Sequence, residues 1–460
     1  MHAAKSQSEK YTGPKGWPIV GSTLDIQRDT LGFFDQARRH GGLFTFRMLT
    51  PQGKLDVVSA SEPRHVEHVL KTNYKNYRKS GAYARLSSIM GNGLLVSEGD
   101  FWLRQRRLSQ PAFHKQRLEL LAASIFESVE ELISQRWNRL PEDAAIDVSE
   151  EMSRLTLTIV GRTLLSTDLA SVSPKVGRAV HDVLDHASRR IKAAVALPEK
   201  APTPGNLRFK RSLAVLDELV YDIIRHHRAA DEDRGDLISM LIAARDDETG
   251  DSMTDRQLRD EMMTAIIAGH ETTAAALAWA WYLLSRNPGV RRRVEQEALE
   301  VLDAGYGAFE QYQRLQYTQA VFKETLRLYP PAWLIARRAY EDDQLADLPV
   351  RAGTRVILSP YVTHRDPLLW SNPEGFDPER FMAEGHPANP QEEFAYYPFG
   401  GGPRQCLGRN LALMEGPVIL AAIARRYRLN LLAGARVTPE AKVTLRPRGG
   451  VPVSLARTPN

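Results

Sequence analysis

The sequence predicts a mainly α protein with a smaller β region, built as one large domain over residues 1–460. Three observations lead there. Apolar residues recur at helical spacing over long stretches, about 124–234, 262–284 and 407–427. Alternating, β-branched runs are short and few, at 43–48, 55–60, 353–362 and 443–455. No internal repeat or low-complexity linker divides the 460 residues, so a length that could hold several average domains is read as one.

Composition narrows the function. An apolar fraction of 43% with 25% charged residues is globular. The net charge of +5 is mildly basic, but no basic recognition motif accompanies it, so no nucleic-acid partner is expected. The opening MHAAKSQSEKYTGPKGWPIVG is polar and lacks the apolar core of a signal peptide or membrane anchor. The expectation is a cytoplasmic protein with no membrane anchor.

In chain order, the Pro- and Gly-rich segment 13–21 is a stiff lead-in, and the runs 43–48 and 55–60 flank Pro51-Gln52-Gly53 as a hairpin. Residues 62–70 return to helical spacing. Residues 82–98 form a Gly- and Ser-bearing connection holding Tyr83, Leu86, Ile89 and Met90. A helix starts at Gly99 and puts Trp102 and Arg106 four apart, so one indole donor and one guanidinium converge. Arg104, Arg107, His114, Lys115 and Arg117 add positive charge nearby. The helical stretch 124–234 is broken by Leu197-Pro198 and by Ala201-Pro202-Thr203-Pro204-Gly205.

Residues 262–284 approach a membrane span in length and apolarity, but the polar centre Gly269-His270-Glu271-Thr272-Thr273 favours a helix buried through a globular core. Gly269 removes bulk, and Thr272 has the reach to bond back to the Ala268 carbonyl and bend the helix. Glu271 sets an acid beside that alcohol, a pair suited to proton delivery. Glu324 and Arg327, three apart on the next clear helix, suit a charge-assisted pair. The run 443–455, interrupted by Gly449-Gly450, reads as a hairpin.

Cys406 is the only cysteine, which excludes an intrachain disulfide, a zinc-thiolate cluster and an iron-sulfur cage. Buried filler, a nucleophile or one metal ligand remain. Gly400, Gly401, Gly402 and Pro403 make a rigid turn before it, and the long helix after it sets the sulfur at a helix N-terminus, which favours thiolate. A thiolate there suits the axial position of a haem iron, where it promotes O–O cleavage, and Arg404 has the charge to pair with a haem carboxylate.

The spacing F-x-x-G-x-R-x-C-x-G, carried by Phe399, Gly402, Arg404, Cys406 and Gly408, resembles the haem-binding signature of the cytochrome P-450 family. W-x-x-x-R at Trp102 and Arg106, A-G-x-E-T-T at 268–273, E-x-x-R at Glu324 and Arg327, and Pro378-Glu379-Arg380-Phe381 are similar to that family's other motifs, in its order. The resemblance implies the cytochrome P-450 fold, of the soluble bacterial type, as a single haem domain with no fused reductase. It implies haem b with Cys406 as its metal ligand, held in a loop of Phe399, Gly402 and Gly408. Trp102, Arg106, Arg337 and Arg404 would contact propionates, with Arg338 the alternative to Arg337.

Glu271 and Thr272 would manage protons, while Glu324, Arg327 and Arg380 would be structural. Leu86, Ala265, Ala268, Trp333, Leu334 and Ile335 would line an apolar substrate pocket, gated by a mobile helix pair near the break at 197–205. The implied reaction inserts one oxygen atom of O2 into a fatty acid or a terpenoid- or steroid-like substrate. NAD(P)H electrons would arrive through a separate ferredoxin or flavodoxin with its reductase, docking on the basic face of the 99–117 segment of a monomer. A peroxide-using or rearranging haem-thiolate enzyme, or a haem-binding protein without turnover, are the alternatives.

Overall fold

The computed structural model describes residues 12–50, 53–167, 174–192, 198–230, 235–246, 250–382 and 393–458. The expected turn residues Pro51 and Gln52, and Leu197 of the helix break, lie outside them. The strands β1 (Leu43–Thr50) and β2 (Gly53–Ala60) pair antiparallel from Leu43↔Ala60 to Thr50↔Gly53. After the short strand β3 (Tyr77–Lys79) come two single-turn helices, α1 (Gly81–Ala84) and α2 (Ser87–Met90), where a loop was expected.

The helical body then follows: α3 (Gly99–Ser109), α4 (Lys115–Gln135), the strand β4 (Ala144–Asp147), α5 (Val148–Leu165), α6 (Pro174–Lys192), α7 (Pro204–Ala230), α8 (Asp255–Arg286), α9 (Pro288–Leu302) and α10 (Gln316–Leu328). Strands β5 (Ile335–Ala339), β6 (Asp343–Leu345), β7 (Leu348–Val350) and β8 (Arg355–Leu358) lead to the cysteine loop and α11 (Arg409–Ala424). The chain closes with β9 (Tyr427–Leu431), β10 (Pro439–Ala441), β11 (Leu445–Pro447) and β12 (Pro452–Arg457).

The organising element is α8. It starts on a capping box, with the Thr254 hydroxyl accepting from the Gln257 N–H and the Gln257 side chain accepting from the Thr254 N–H, and it runs 32 residues. Trp279, Trp281, Leu277 and Leu284 on it are fully buried, each such side chain contributing roughly 1.5–3 kcal/mol by leaving water. Its buried charges and polar centre keep it out of lipid. Among the described residues no helix is long and apolar enough to cross a membrane.

The five-stranded sheet has the order β1-β2-β8-β5-β3, with β2 and β8 parallel and the other pairs antiparallel. Its register sets Lys79 opposite Arg337, and Arg78 opposite Arg338 opposite Arg355. Because side chains alternate along a strand, these two rows face opposite sides of the sheet.

Two expectations about strands are corrected. The run 353–362 is a strand only over β8, and a short helix, Pro360–Thr363, follows, capped by Ser359. The run 443–455 is not a hairpin. β11 pairs with β10, whereas β12 pairs with β4 and β9 in another sheet, and Gly449 and Gly450, at φ +73 and +85, turn the chain between them.

The network around Glu324 ties α10 to the segment from His364 to Arg380. The carboxylate accepts from Arg327 Nε at 2.7 Å and Nη2 at 2.8 Å, from Arg380 Nε at 3.2 Å and from the Asp377 N–H at 2.9 Å. Arg327 further donates to the carbonyls of His364, Pro373 and Gly375. All three side chains are buried, and the many donors satisfy what burial would otherwise leave costly.

Candidate cofactor and oxygen site

The cysteine loop is held from behind. Gly402 lies at φ +63, and a Cβ there would strike the Leu70 backbone, so this turn needs glycine twice over. The Cys406 N–H donates to the Phe399 carbonyl at 3.0 Å, closing the loop. Gly408 is different: a Cβ on it would meet only Cys406 Sγ and Phe113 at 4.0 Å. No protein atom demands glycine at 408, which fits a loop kept low for a flat partner.

Cys406 is accessible yet surrounded by protein atoms. The two facts agree if the sulfur borders an internal void rather than the outer surface. Burial pushes the thiol up, and the Gly408 N–H and the Arg106 guanidinium pull it down by less. The helix begins at Arg409, three residues beyond the sulfur, and desolvation wins.

A second accessible surface lies on α8. Within its buried middle, Ala265, Ala268, Gly269 and Thr272 keep partial accessibility, and their spacing of three and four puts them on one face. A buried helix with one open stripe borders a cavity. Thr272 Oγ1 donates to the Ala268 carbonyl at 2.7 Å, which commits its proton and leaves its oxygen lone pairs free to accept. Gly269 serves another purpose than opening space, since a Cβ on it would press on Val160 of α5 at 3.2 Å. Its missing side chain lets α5 and α8 approach.

Glu271 is not beside the Thr272 hydroxyl in its bonding. Its Oε1 accepts from Thr444 Oγ1 at 3.1 Å and lies 3.9 Å from Arg446 Nη1, both around the β10–β11 turn. Arg446 and Lys442 also reach Asp185 of α6, at 3.4 and 2.9 Å. The hairpin is fixed further by Trp279 Nε1 donating to the Leu445 carbonyl and Trp333 Nε1 donating to the Lys442 carbonyl.

A second group of charges lies along the inner row of the sheet. Arg404 donates to Glu98 Oε2 at 2.6 Å and to the carbonyls of Tyr74 and Tyr77, while its buried Nε has no partner. Arg337 is buried, reaches only the Tyr83 hydroxyl at 3.4 Å and its neighbour's carbonyl, and has no carboxylate within 4.0 Å among the described residues. Arg106 donates to the Gln405 carbonyl at 2.8 Å. Trp102 sits between Arg106 and Arg404, 5.9 and 5.3 Å from its ring. Arg338 points to the other face of β5 and is exposed.

Sequence reasoning missed Lys79 and Glu98. Lys79 Nζ donates to the carbonyls of Leu94 and Ser97, and burial lowers its pKa to about 7, with Arg337 and Arg404 adding to the push against Glu98 and Glu261. Glu98 accepts from both the Lys79 N–H and Arg404. The only available signal was the cross-strand pairing of 79 with 337, which no single-chain pattern reveals.

Of the expected pocket residues, Ala265 and Ala268 lie on the open stripe, and Ile335 reaches the cysteine loop, with its Cδ1 3.7 Å from where a Gly400 Cβ would stand. Leu86 is buried with Ile89 and Met90 in the main core. Trp333 and Leu334 pack with Phe34 and Leu445 under the hairpin, a separate cluster. On the basic face, Arg104 and Arg107 share Asp246 at 3.2 and 3.6 Å.

The residues present fit haem. Among the described residues no group of three His, Cys, Asp or Glu gathers to hold a metal ion, so the lone thiolate needs a ligand that supplies the remaining donors itself. The orphaned Arg404 Nε and the acid-free Arg337 await two carboxylates on the same side.

Comparison with known proteins agrees. Residues 12–451 match the family described as Cytochrome P450. The chain is 39% identical to cyclooctatin synthase of Streptomyces melanosporofaciens, over 94% of this chain and 92% of that protein. It is 36% identical to cyclooctat-9-en-7-ol 5-monooxygenase of the same organism, over 92% and 90%. It is 32% identical to pentalenene oxygenase of Streptomyces avermitilis, over 94% of each chain.

Proposed function

The chain belongs to the cytochrome P450 family and is a haem-dependent monooxygenase, and on that premise we propose that it hydroxylates a terpenoid. One observation carries the reading: an accessible sole cysteine and an open stripe on the central helix both border the buried interior. Two of the relatives are named for oxidising cyclooctat-9-en-7-ol and pentalenene, which supports a terpenoid over a fatty acid.

Cys406 would hold the haem iron, and Arg337, Arg404, Arg106 and Trp102 would hold its propionates, Arg337 being preferred to Arg338 for its face. Haem, when bound, supplies a thiolate-ligated iron that activates O2 with two external electrons. The chain's own residues then do three things. The stripe at Ala265 and Ala268 holds the hydrocarbon and keeps bulk water out. Thr272 presents an oxygen that accepts a hydrogen bond while its own O–H is donated to the Ala268 carbonyl. Glu271 holds or passes a proton at Oε1, where Thr444 and Arg446 meet it.

We assign the electrons to NAD(P)H through a separate ferredoxin or flavodoxin with its reductase, and read the chain as a cytoplasmic monomer of one domain. The test is the absorption spectrum of the reduced protein under carbon monoxide, native and Cys406→Ala. A strongly red-shifted Soret band in the native protein, absent in the variant, is the expected pair. A histidine-type spectrum in both would end the thiolate assignment. Turnover of cyclic terpenes with a surrogate ferredoxin system then tests the substrate class.

A further inference from the structure

The hairpin of β10 and β11 sets two cations among three carboxylates that come from three elements. Lys442 Nζ lies 2.9 Å from Asp185 Oδ1 on α6 and 3.6 Å from Glu440 Oε2 on β10. Arg446 turns a different nitrogen to each acid. Its Nη2 stands 3.4 Å from Asp185 Oδ1, its Nε 3.5 Å from Glu440 Oε2 and its Nη1 3.9 Å from Glu271 Oε1. A charge-assisted bond from a guanidinium closes at about 2.7–2.9 Å. Arg446 reaches that length with none of the three, so its rigid fork is held between them.

Asp185 makes the shortest ion contact in this group. Burial would raise its carboxyl, but the bond and charge of Lys442 bring it below the ordinary carboxylate value, with His181 and Arg446 adding to the effect. It is therefore ionised at neutral pH and competes for both cations. Its second oxygen lies 3.9 Å from Arg189, one turn on in α6. α6 also meets the turn through Ser188, whose hydroxyl accepts from the Val443 N–H at 3.4 Å. Behind, α6 is seated on α7, where Ser212 donates to Asp182 at 2.9 Å and Phe209 stacks on His186.

Glu271 takes one hydrogen bond from this turn, donated by Thr444 Oγ1 at 3.1 Å, and has Arg446 just beyond bonding distance. The arrangement is a competition. Were Asp185 neutral, Lys442 would lose its 2.9 Å partner and settle on Glu440. Arg446, released by both, would then have Glu271 as its remaining acid. A guanidinium closed on that carboxylate would occupy the oxygen that receives the proton and favour its charged form.

We infer that Asp185 is a positioning residue for Glu271: by drawing Lys442 and Arg446 toward α6, it keeps the guanidinium off the Glu271 carboxylate and leaves that acid free to hold and pass a proton. The inference rests on the proton role proposed for Glu271 and adds what keeps that acid available. The seat of α6 thereby enters the handling of protons on α8.

The test uses the holoprotein with NADPH and a surrogate ferredoxin system, without added substrate, and reads the share of electrons that leaves as hydrogen peroxide. Asp185→Asn should raise that share about twofold or more, and Asp185→Glu, which keeps the charge, should recover most of the native value. Adding Arg446→Gln to Asp185→Asn should reverse the rise, which a mere loss of packing at Asp185 would not allow. Urea unfolding of the holoprotein gives a second reading. The coupling of Glu271 to Arg446, from Glu271→Gln and Arg446→Gln singly and together, should grow about fivefold in the unfolding constant in the Asp185→Asn background. An unchanged peroxide share in Asp185→Asn, a rise that persists in the double variant, or a coupling indifferent to Asp185 would overturn the inference. A native peroxide share in Glu271→Gln would end the proton reading and the inference with it, whereas a raised share there beside a native one in Asp185→Asn strikes the inference alone. An unchanged carbon monoxide spectrum in each variant shows that the fold is intact.

Discussion

Replacing Glu324 by Gln tests how α10 is held to the segment from His364 to Arg380. The carboxylate is 0% exposed, and so is Arg327, with Arg380 at 1%. An amide of the same shape keeps one acceptor oxygen but turns an NH2 toward guanidinium donors, and it leaves two buried cations with no acid. Breaking a buried pair in this way costs about 3–5 kcal/mol. Unfolding entropy of roughly 2.1 cal/mol/K per residue over 460 residues gives about 1 kcal/mol per degree, so the melting temperature should fall by about 3–5 °C. Far-UV circular dichroism of the apoprotein measures it. Arg314→Ala, which breaks a half-exposed pair with Glu310, should cost no more than about 0.5 kcal/mol and serves as the reference. If Glu324→Gln melts within a degree of Arg314→Ala, the network is not what holds α10 to the 364–380 segment. Replacing Glu324, Arg327 and Arg380 together by apolar residues should recover much of the loss in stability, because it is the unpaired charge that is costly.

Three further outcomes are expected. Thr272→Ala should keep the haem spectrum but divert a large share of NADPH electrons to hydrogen peroxide, and tight coupling in the variant would refute a proton role. Thr444→Val frees Glu271 Oε1 of its one hydrogen bond, so kcat should fall several-fold with KM little changed, whereas a change confined to KM would make the contact a packing feature. Glu415→Gln should remove a pH dependence of stability. Burial raises the Glu415 pKa from 4.5 to about 8, so between those values the folded chain keeps a proton that the unfolded chain releases. Its contribution is full below pH 4.5 and is lost as pH rises through about 8, at up to about 1.4 kcal/mol per pH unit. Urea midpoints across that window should fall more steeply with pH for the native chain than for the variant, and parallel slopes would contradict the assignment.

What the chain displayed locally was readable from its residues alone. The hairpin β1–β2, the buried helix α8 and the Thr272 bond to Ala268 each depend on neighbours within a few positions. What depended on distant partners was not. Residues 443–455 carry two strands and a glycine turn, which looks like a hairpin, but β12 finds β9 more than twenty and β4 more than three hundred residues away in the chain. Glu271 stands next to Thr272 in sequence, yet its carboxylate bonds 173 positions away at Thr444. The sulfur illustrates competition rather than distance. Burial raises the Cys406 thiol while the Gly408 N–H and the Arg106 guanidinium oppose it, and only the fold brings these groups to the sulfur. Lys79 gave no signal, because an isolated lysine in a short strand is ordinarily a solvated one.

The turn between β10 and β11 meets Glu271 and Trp279 of α8, Asp185 of α6, and the segment before β5. It also follows all of these helices in the chain. During synthesis the helices it joins are therefore complete while still unfastened to one another, and we expect a nascent chain ending before residue 439 to admit haem readily and retain it poorly. Cofactor capture would then be timed by translation, with β10 and β11 acting as the stitch that fastens the helices.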